Sequence, residues 1–294
     1  MKLSTFFILL TTAWVVQAQF IGNASINTPE AAASVGTGPY PASFLSSPTL
    51  LNHTIYQPKH IPHGMKLPVL VWSNGGCISS GVIMYPFLVQ LASQGIIVIV
   101  NGAPGNVTAT YDSFGPGPRT TYHMLIEAMD WATANAGKGN WTHMDTRRIG
   151  VAGQSCGGIE AYSAGADPRA TVIGIFNSGG NLTGKATILP SSIMKPIFYF
   201  LGGPTDIAYK YGEADYKNLP TNTPAWKGNL PIGHAGTYNE VNGGKIGVAA
   251  SYWVDWVLRG NSSAKSWFTS NTSSTAAGWD VTSKNLQKIH LSPI

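Results

Sequence analysis

The sequence predicts an α/β fold, in which a mostly parallel twisted sheet carries helices on both faces. Two observations predict it. Apolar stretches of strand length alternate along the chain with stretches of helical periodicity. The strand-like stretches are also apolar throughout, as expected of strands that are covered on both sides. No repeat or long linker divides the chain, so residues 19–294 are expected to form a single domain.

The predicted core strands share a composition rich in β-branched and aromatic residues. In chain order they are LPVLVWS, IIVIVNGAP, RRIGVAGQS, ATVIGIFNSGG and KPIFYFLGG. Helices are predicted at MYPFLVQLASQG, YHMLIEAMDWATANAG, CGGIEAYSAGA and IGVAASYWVDWVLRG. In the last of these, Tyr252, Trp253 and Trp256 are interpreted as core residues.

The two ends of the domain are expected to differ from this core. Within residues 19–66, GPYPASF and HTIYQPKH predict two extended segments that add antiparallel at one edge of the sheet. Residues 261–294 are rich in Ser, Thr and Asn, and they are expected to form a C-terminal appendage that packs on the domain.

The N-terminus has the layout of a secretory signal peptide. Lys2 precedes an apolar run, and residues 1–18 end in the small residue Ala18. We therefore expect a secreted, extracellular protein, with an uncleaved N-terminal anchor as the alternative. No later stretch reaches 18 apolar residues, so no other membrane anchor is expected. N-glycosylation sequons suit a secreted glycoprotein, and they occur at Asn23, Asn52, Asn106, Asn140, Asn181, Asn261 and Asn271.

Composition excludes several function classes. The formal net charge of +5 is spread thinly, without the basic cluster that nucleic-acid binding needs. The sequence contains no HExxH motif, no GxGxxG helix start and no P-loop, so no metal or organic cofactor is expected. A monomer is expected.

The stretch GQSCGG at residues 153–158 carries the chemistry. In a chain with 34 glycines such a string also arises by chance. Here it follows a predicted strand directly and opens a predicted helix, which is the context of a nucleophile elbow. Gly153 and Gly157 allow the tight turn, and Ser155 is predicted to be exposed at its apex as the nucleophile.

A serine nucleophile needs a histidine base that is oriented by an acid, in the chain order Ser, Asp, His for this kind of fold. Asp206 follows the fifth predicted strand, and His234 lies in a later loop between glycines. Asp215 is the alternative acid, and an ordinary helix cap is the alternative role for Asp206.

An oxyanion hole is predicted beside the serine. Its donors are the backbone amides of Cys156 and Gly76, with Cys77 as the alternative to Gly76. If both donors face one oxyanion, Cys77 and Cys156 lie close enough for a disulfide, with two buried free thiols as the alternative. Cys77 is also a candidate for contact with the substrate.

At these residues the chain resembles the α/β-hydrolases. More narrowly, it is similar to the secreted, lidless serine esterases grouped with dienelactone hydrolase, chlorophyllase, platelet-activating-factor acetylhydrolase and the cutinase-like polyesterases. The resemblance implies a minimal lid, a Ser155–Asp206–His234 triad and oxyanion donors at Gly76 and Cys156. Tyr111 would line the acyl pocket. The chain departs from the polyesterases at Gly76, where they carry tyrosine, and at Cys156, where they carry methionine.

These observations predict a secreted serine esterase that cleaves carboxylic esters through an acyl-enzyme. Its partner would be a small-molecule or polymer-borne ester. The alternatives are a secreted peptidase or transacylase on the same three residues, and a binding protein that uses the fold without catalysis.

Overall fold

The structure is a computed structural model, and it describes residues 28–108, 119–182, 188–270 and 272–291. The predicted signal peptide, Asn23, Tyr111 and Asn271 lie outside these ranges. Among the described residues, no helix is both long and apolar enough to cross a membrane.

Within the described ranges, nine strands form one sheet. The strands are β1 (Ala42–Ser47), β2 (Leu50–Pro58), β3 (Leu67–Ser73), β4 (Ile97–Asn101), β5 (Met144–Gln154), β6 (Ala170–Phe176), β7 (Ile197–Leu201), β8 (Ala225–Asn229) and β9 (Asp280–Lys284). The helices are α1 (Pro29–Ala32), α2 (Tyr85–Ala92), α3 (Tyr122–Asn135), α4 (Cys156–Ala164), α5 (Tyr209–Asn218), α6 (Gly244–Val257), α7 (Ser262–Thr269) and α8 (Thr272–Ala276). Short 3₁₀ turns lie at Gly75–Cys77, Gly139–Trp141, Pro190–Ser192, Val241–Gly243 and Leu286–Lys288.

The strand order is β1-β2-β4-β3-β5-β6-β7-β8-β9. The six strands from β4 to β8 in this order are parallel to one another. At one edge, β1 and β2 pair antiparallel, and β2 pairs antiparallel with β4. The predicted α/β class with a mostly parallel sheet is confirmed, and the two N-terminal extended segments form the antiparallel edge.

Helices cover both faces of the sheet, as predicted. Every residue of β3 and β4 is buried, because alternate side chains enter two separate apolar cores. Leu70 and Trp72 pack with α2 and α6 in one core. Val69 and Val71 pack with α3 and α4 in the other.

The C-terminal residues are integrated more deeply than an appendage. After α7 and α8 the chain returns as β9, which pairs antiparallel with β8 and becomes the second edge of the sheet. Trp267, Phe268 and Trp279 are buried in the core beside α6. On α6, Trp253 and Trp256 are core residues as predicted, whereas Tyr252 is 41% exposed and stacks on Trp267.

The sheet brings the segments of interest together at the carboxyl ends of its parallel strands. Because β3, β5, β6, β7 and β8 run parallel, the loops that follow them all leave from the same side. These loops carry the Gly75–Cys77 turn, Ser155, Asn177, Asp206 and His234 respectively.

Candidate active site

Ser155 lies in a sharp turn between β5 and α4, in a backbone conformation that L residues rarely adopt. Its φ is 54° and its ψ is −119°. The neighbouring glycines are required by close backbone approach. A Cβ at Gly153 would lie 2.3 Å from the carbonyl oxygen of Gly157, and a Cβ at Gly157 would lie 2.1 Å from the carbonyl oxygen of Ser73. The local sequence therefore matches a turn that permits only glycine at these two positions.

The structure joins Ser155, His234 and Asp206 in one hydrogen-bonded chain. Nε2 of His234 lies 2.8 Å from Oγ of Ser155, and Nδ1 of the same ring lies 2.7 Å from Oδ1 of Asp206. Because the carboxylate can only accept a hydrogen bond, Nδ1 carries the proton and donates the bond to Asp206. Nε2 is then unprotonated and accepts from the serine hydroxyl. A serine placed in this way has a base for its proton, and that base is oriented by an acid.

The sequence predicts that Ser155 is exposed at the apex of its turn, and this prediction is wrong. Only 2% of its surface is accessible. Its hydroxyl is hydrogen-bonded to the imidazole of His234, and a Cβ added at Gly75 would lie 3.6 Å from the Cβ of Ser155.

Asp206 is held as an anion inside the protein. Its Oδ1 also accepts from the amide of Ala208 at 2.8 Å, and its Oδ2 accepts from the amide of Gly202 at 3.1 Å and from Asn177 at 2.9 Å. Burial acts to raise the pKa of Asp206, but the hydrogen bond and charge of His234, together with the Ala208 and Asn177 donors, outweigh it and leave the pKa lowered.

The alternative acid, Asp215, lies in a different network. Its carboxylate accepts from the hydroxyl of Tyr162 at 2.7 Å and from the amide of Gly180 at 2.5 Å. Burial raises its pKa. The structure thus places Asp206 beside His234 and gives Asp215 partners on α4 and in the loop after β6.

The predicted oxyanion donors lie on the two sides of a disulfide. The bond joins Cys77, in the turn after β3, to Cys156, the first residue of α4, with Cα atoms 5.2 Å apart. The predicted disulfide is therefore confirmed, and the alternative of two free thiols is wrong. As the first residue of a helix, Cys156 has an amide with no partner inside that helix. Cys77, named also as a substrate contact, is 8% exposed.

The Gly75–Cys77 turn is anchored through its carbonyl groups. Gly76 and Cys77 both have positive φ, at 63° and 50°. The carbonyl of Gly76 accepts from the Arg119 guanidinium at 3.0 Å, and that of Cys77 accepts from the amide of Thr120 at 2.8 Å. With its carbonyls engaged by residues 119–120, the turn is held in one orientation beside Ser155.

A buried carboxyl group that the sequence did not single out lies on α4, behind the turn. Glu160 accepts hydrogen bonds from the hydroxyls of Ser73 and Thr120 and from the amide of Asn101. Burial raises the pKa of Glu160 to about 7, against the lowering effect of these three donors. Its partners come from three distant segments, so no local pattern could have found this cluster.

Three further residues support the histidine loop, and they too carry no sequence signal. Asn177 and Tyr238 are buried and hydrogen-bonded to each other, and Nε2 of Gln154 donates to the carbonyl of His234 at 3.1 Å.

All the described sequon asparagines are exposed, namely Asn52, Asn106, Asn140, Asn181 and Asn261. Tyr111, the candidate for the acyl pocket, lies outside the described residues.

Comparison with known proteins assigns no family to the chain. No protein-family model matches it, and no curated protein matches it significantly.

Proposed function

We propose that the protein is a serine hydrolase of the α/β-hydrolase fold that cleaves carboxylic esters. The observation that carries this proposal is the imidazole of His234, bonded to Oγ of Ser155 at 2.8 Å and to Asp206 at 2.7 Å. The chain order Ser155, Asp206, His234 and the turn between a strand and a helix support the same fold. A structural role alone does not call for a serine, a base and an acid in series.

In the first half of the reaction, Oγ of Ser155 attacks the ester carbonyl carbon while Nε2 of His234 takes the hydroxyl proton. The tetrahedral intermediate collapses when the protonated imidazole gives this proton to the leaving alcohol, and the acyl group stays on Ser155. Asp206 keeps the imidazole in the required tautomer and stabilises its charged form.

In the second half, a water molecule takes the place of the alcohol. His234 removes a proton from the water as its oxygen attacks the acyl carbon, and the proton then returns to Oγ of Ser155 as the acid is released. In both halves the negative charge on the substrate oxygen would be met by the amides of Cys156 and of Gly76 or Cys77. The disulfide ties the Cys156 and Cys77 sides together, which supports preorganised donors.

We also propose that the enzyme is secreted. The N-terminal pattern, the exposed sequons and the disulfide all suit an oxidising compartment outside the cytosol.

The test is hydrolysis of p-nitrophenyl esters, from acetate to palmitate, by the wild type and by Ser155→Ala. The matched control is Ser192→Ala, which removes an exposed serine in the Pro190–Ser192 turn. We expect the Ser155 variant to lose orders of magnitude in kcat and the control to match the wild type. Covalent labelling of Ser155 by a fluorophosphonate gives a second readout that is independent of the ester chosen.

Three outcomes would contradict the proposal in different ways. Equal activity of the wild type and Ser155→Ala would mean that Ser155 is not the nucleophile. Cleavage of matched p-nitroanilides by the wild type that is lost in Ser155→Ala would favour a peptidase. Failure of both hydrolysis and labelling would favour a binding protein.

A further inference from the structure

We propose that Asn177 is a positioning residue that locks Asp206 to the loop carrying His234, and that Tyr238 holds the Asn177 amide in the orientation this requires. The inference rests on the proposed function. It extends that function to two residues outside the hydrogen-bonded chain of Ser155, His234 and Asp206.

Asn177 bridges the loop that carries Asp206 and the loop that carries His234. It follows β6 directly, is fully buried, and donates its backbone amide to the carbonyl of Phe200 on β7 at 2.8 Å. Its side-chain Nδ2 donates to Oδ2 of Asp206 at 2.9 Å and to the carbonyl of Gly233 at 3.0 Å. Gly233 immediately precedes His234, so one amide group holds both the acid and the histidine loop.

Tyr238 determines which way this amide points. Its hydroxyl donates to Oδ1 of Asn177 at 2.5 Å, and its ring is buried edge-on against Phe87. With Oδ1 accepting from the phenol, the two Nδ2 hydrogens face the two acceptors. A flipped amide would turn Oδ1 toward the Asp206 carboxylate and leave buried acceptors without a donor, which is costly.

The contacts leave the carboxylate of Asp206 one orientation. Oδ1 faces His234, while Oδ2 is held by Asn177 and by the amide of Gly202. The carbonyl of Gly202 in turn accepts from the amide of Gly233 at 2.9 Å. Backbone bonds and the Asn177 side chain thus both join the acid and histidine loops, which preorganises the pair before substrate arrives.

The backbone at Asn177 guides the choice of variant. Its φ is 42°, a conformation in which asparagine is favoured and glycine is unstrained. Asn177→Gly therefore removes the amide group without adding backbone strain, which Asn177→Ala would do. Tyr238→Phe removes only the hydroxyl. The matched control is Tyr85→Phe, another buried tyrosine, whose hydroxyl donates to the carbonyl of Ser34.

The experiment measures kcat, KM, the pH dependence of kcat/KM and the melting temperature for these variants on one p-nitrophenyl ester. A hydrogen bond to a charged group is typically worth a factor of about 10 to 100. We expect kcat to fall by about that factor in Asn177→Gly and by about 5-fold in Tyr238→Phe, with KM unchanged. The pH dependence of kcat/KM should differ from the wild type in Asn177→Gly and match it in Tyr85→Phe, because only the former removes a hydrogen-bond donor from the Asp206 carboxylate.

Several outcomes would overturn the positioning role. It fails if Tyr238→Phe has the same kcat and pH profile as Tyr85→Phe, or if the melting temperature falls while kcat does not. If Asn177→Gly does not fold, Tyr238→Phe decides alone. A wild type without Ser155-dependent activity would overturn the proposed function instead, so the two failures are distinguishable.

Discussion

Cys77 and Cys156 join the turn after β3 to the first residue of α4 by a disulfide, directly beside Ser155. The bond spans 79 residues of sequence. It crosses between the two segments whose amides are the proposed oxyanion donors. The disulfide therefore limits how far the turn after β3 and the start of α4 can move apart beside the serine.

Removal of the disulfide is expected to lower both stability and activity. Opening a loop of this length costs about 2–4 kcal/mol of unfolding free energy. In Cys77→Ala/Cys156→Ala we also expect kcat to fall, by up to the roughly 100-fold that loss of one oxyanion donor costs. Urea unfolding and ester hydrolysis measure the two effects. Dithiothreitol should reproduce both in the wild type and change nothing in the double variant. A reduced wild type with full activity would contradict this role.

Substitution of Gly157 is expected to disrupt the turn around Ser155. In Gly157→Ala the new methyl group would lie 2.1 Å from the backbone oxygen of Ser73, so β3 and α4 must move apart. We expect a loss of about 3 kcal/mol in unfolding free energy, measured in urea. Gly105→Ala is the matched control, because its added Cβ would come no closer than 3.8 Å to Val82. Equal stability of the two variants would show that the close approach at Gly157 is not needed.

Glu160 is expected to make stability depend on pH. Burial raises the pKa of Glu160 in the folded protein to about 7, above its ordinary value of 4.5, so between these pH values the folded state binds a proton that the unfolded state has released. The free energy of unfolding therefore falls as pH rises through this window, by about 3 kcal/mol in total, and stays level above it. In Glu160→Gln this dependence is absent. Urea unfolding of both proteins from pH 4 to pH 8 measures it, and a difference that stays constant with pH would refute it.

Glycans at Asn106 and Asn181 are expected to limit access of bulky substrates. Both residues are exposed and follow β4 and β6, so they lie at the carboxyl ends of the strands, where Ser155 also lies. We expect Asn106→Gln/Asn181→Gln, produced in a glycosylating host, to raise the rate on a polymeric ester relative to a small one. Asn140→Gln is the control, because Asn140 precedes β5 and so lies toward the amino ends of the parallel strands. An unchanged ratio in the double variant would count against this prediction.

The strand pattern of the sheet could be predicted because it depends on local composition. Strands such as β3 and β4 are buried on both faces, and this requirement makes them apolar at every position. The role of the C-terminal residues could not be predicted in the same way. β9 is largely exposed, and it becomes a strand because β8 offers it a free edge to pair with.

The turn at Ser155 could be predicted from local sequence, since Gly153 and Gly157 stand where backbones approach too closely for a side chain. The order of Ser155, Asp206 and His234 along the chain could be predicted in the same way. The groups that surround these three residues depend on the tertiary structure. Asn177 meets Asp206 across 29 residues, and Tyr238 meets Asn177 across 61. Local periodicity specifies helices and strands, but partners so distant are chosen by the strand order and by the need of each buried polar group for a hydrogen bond.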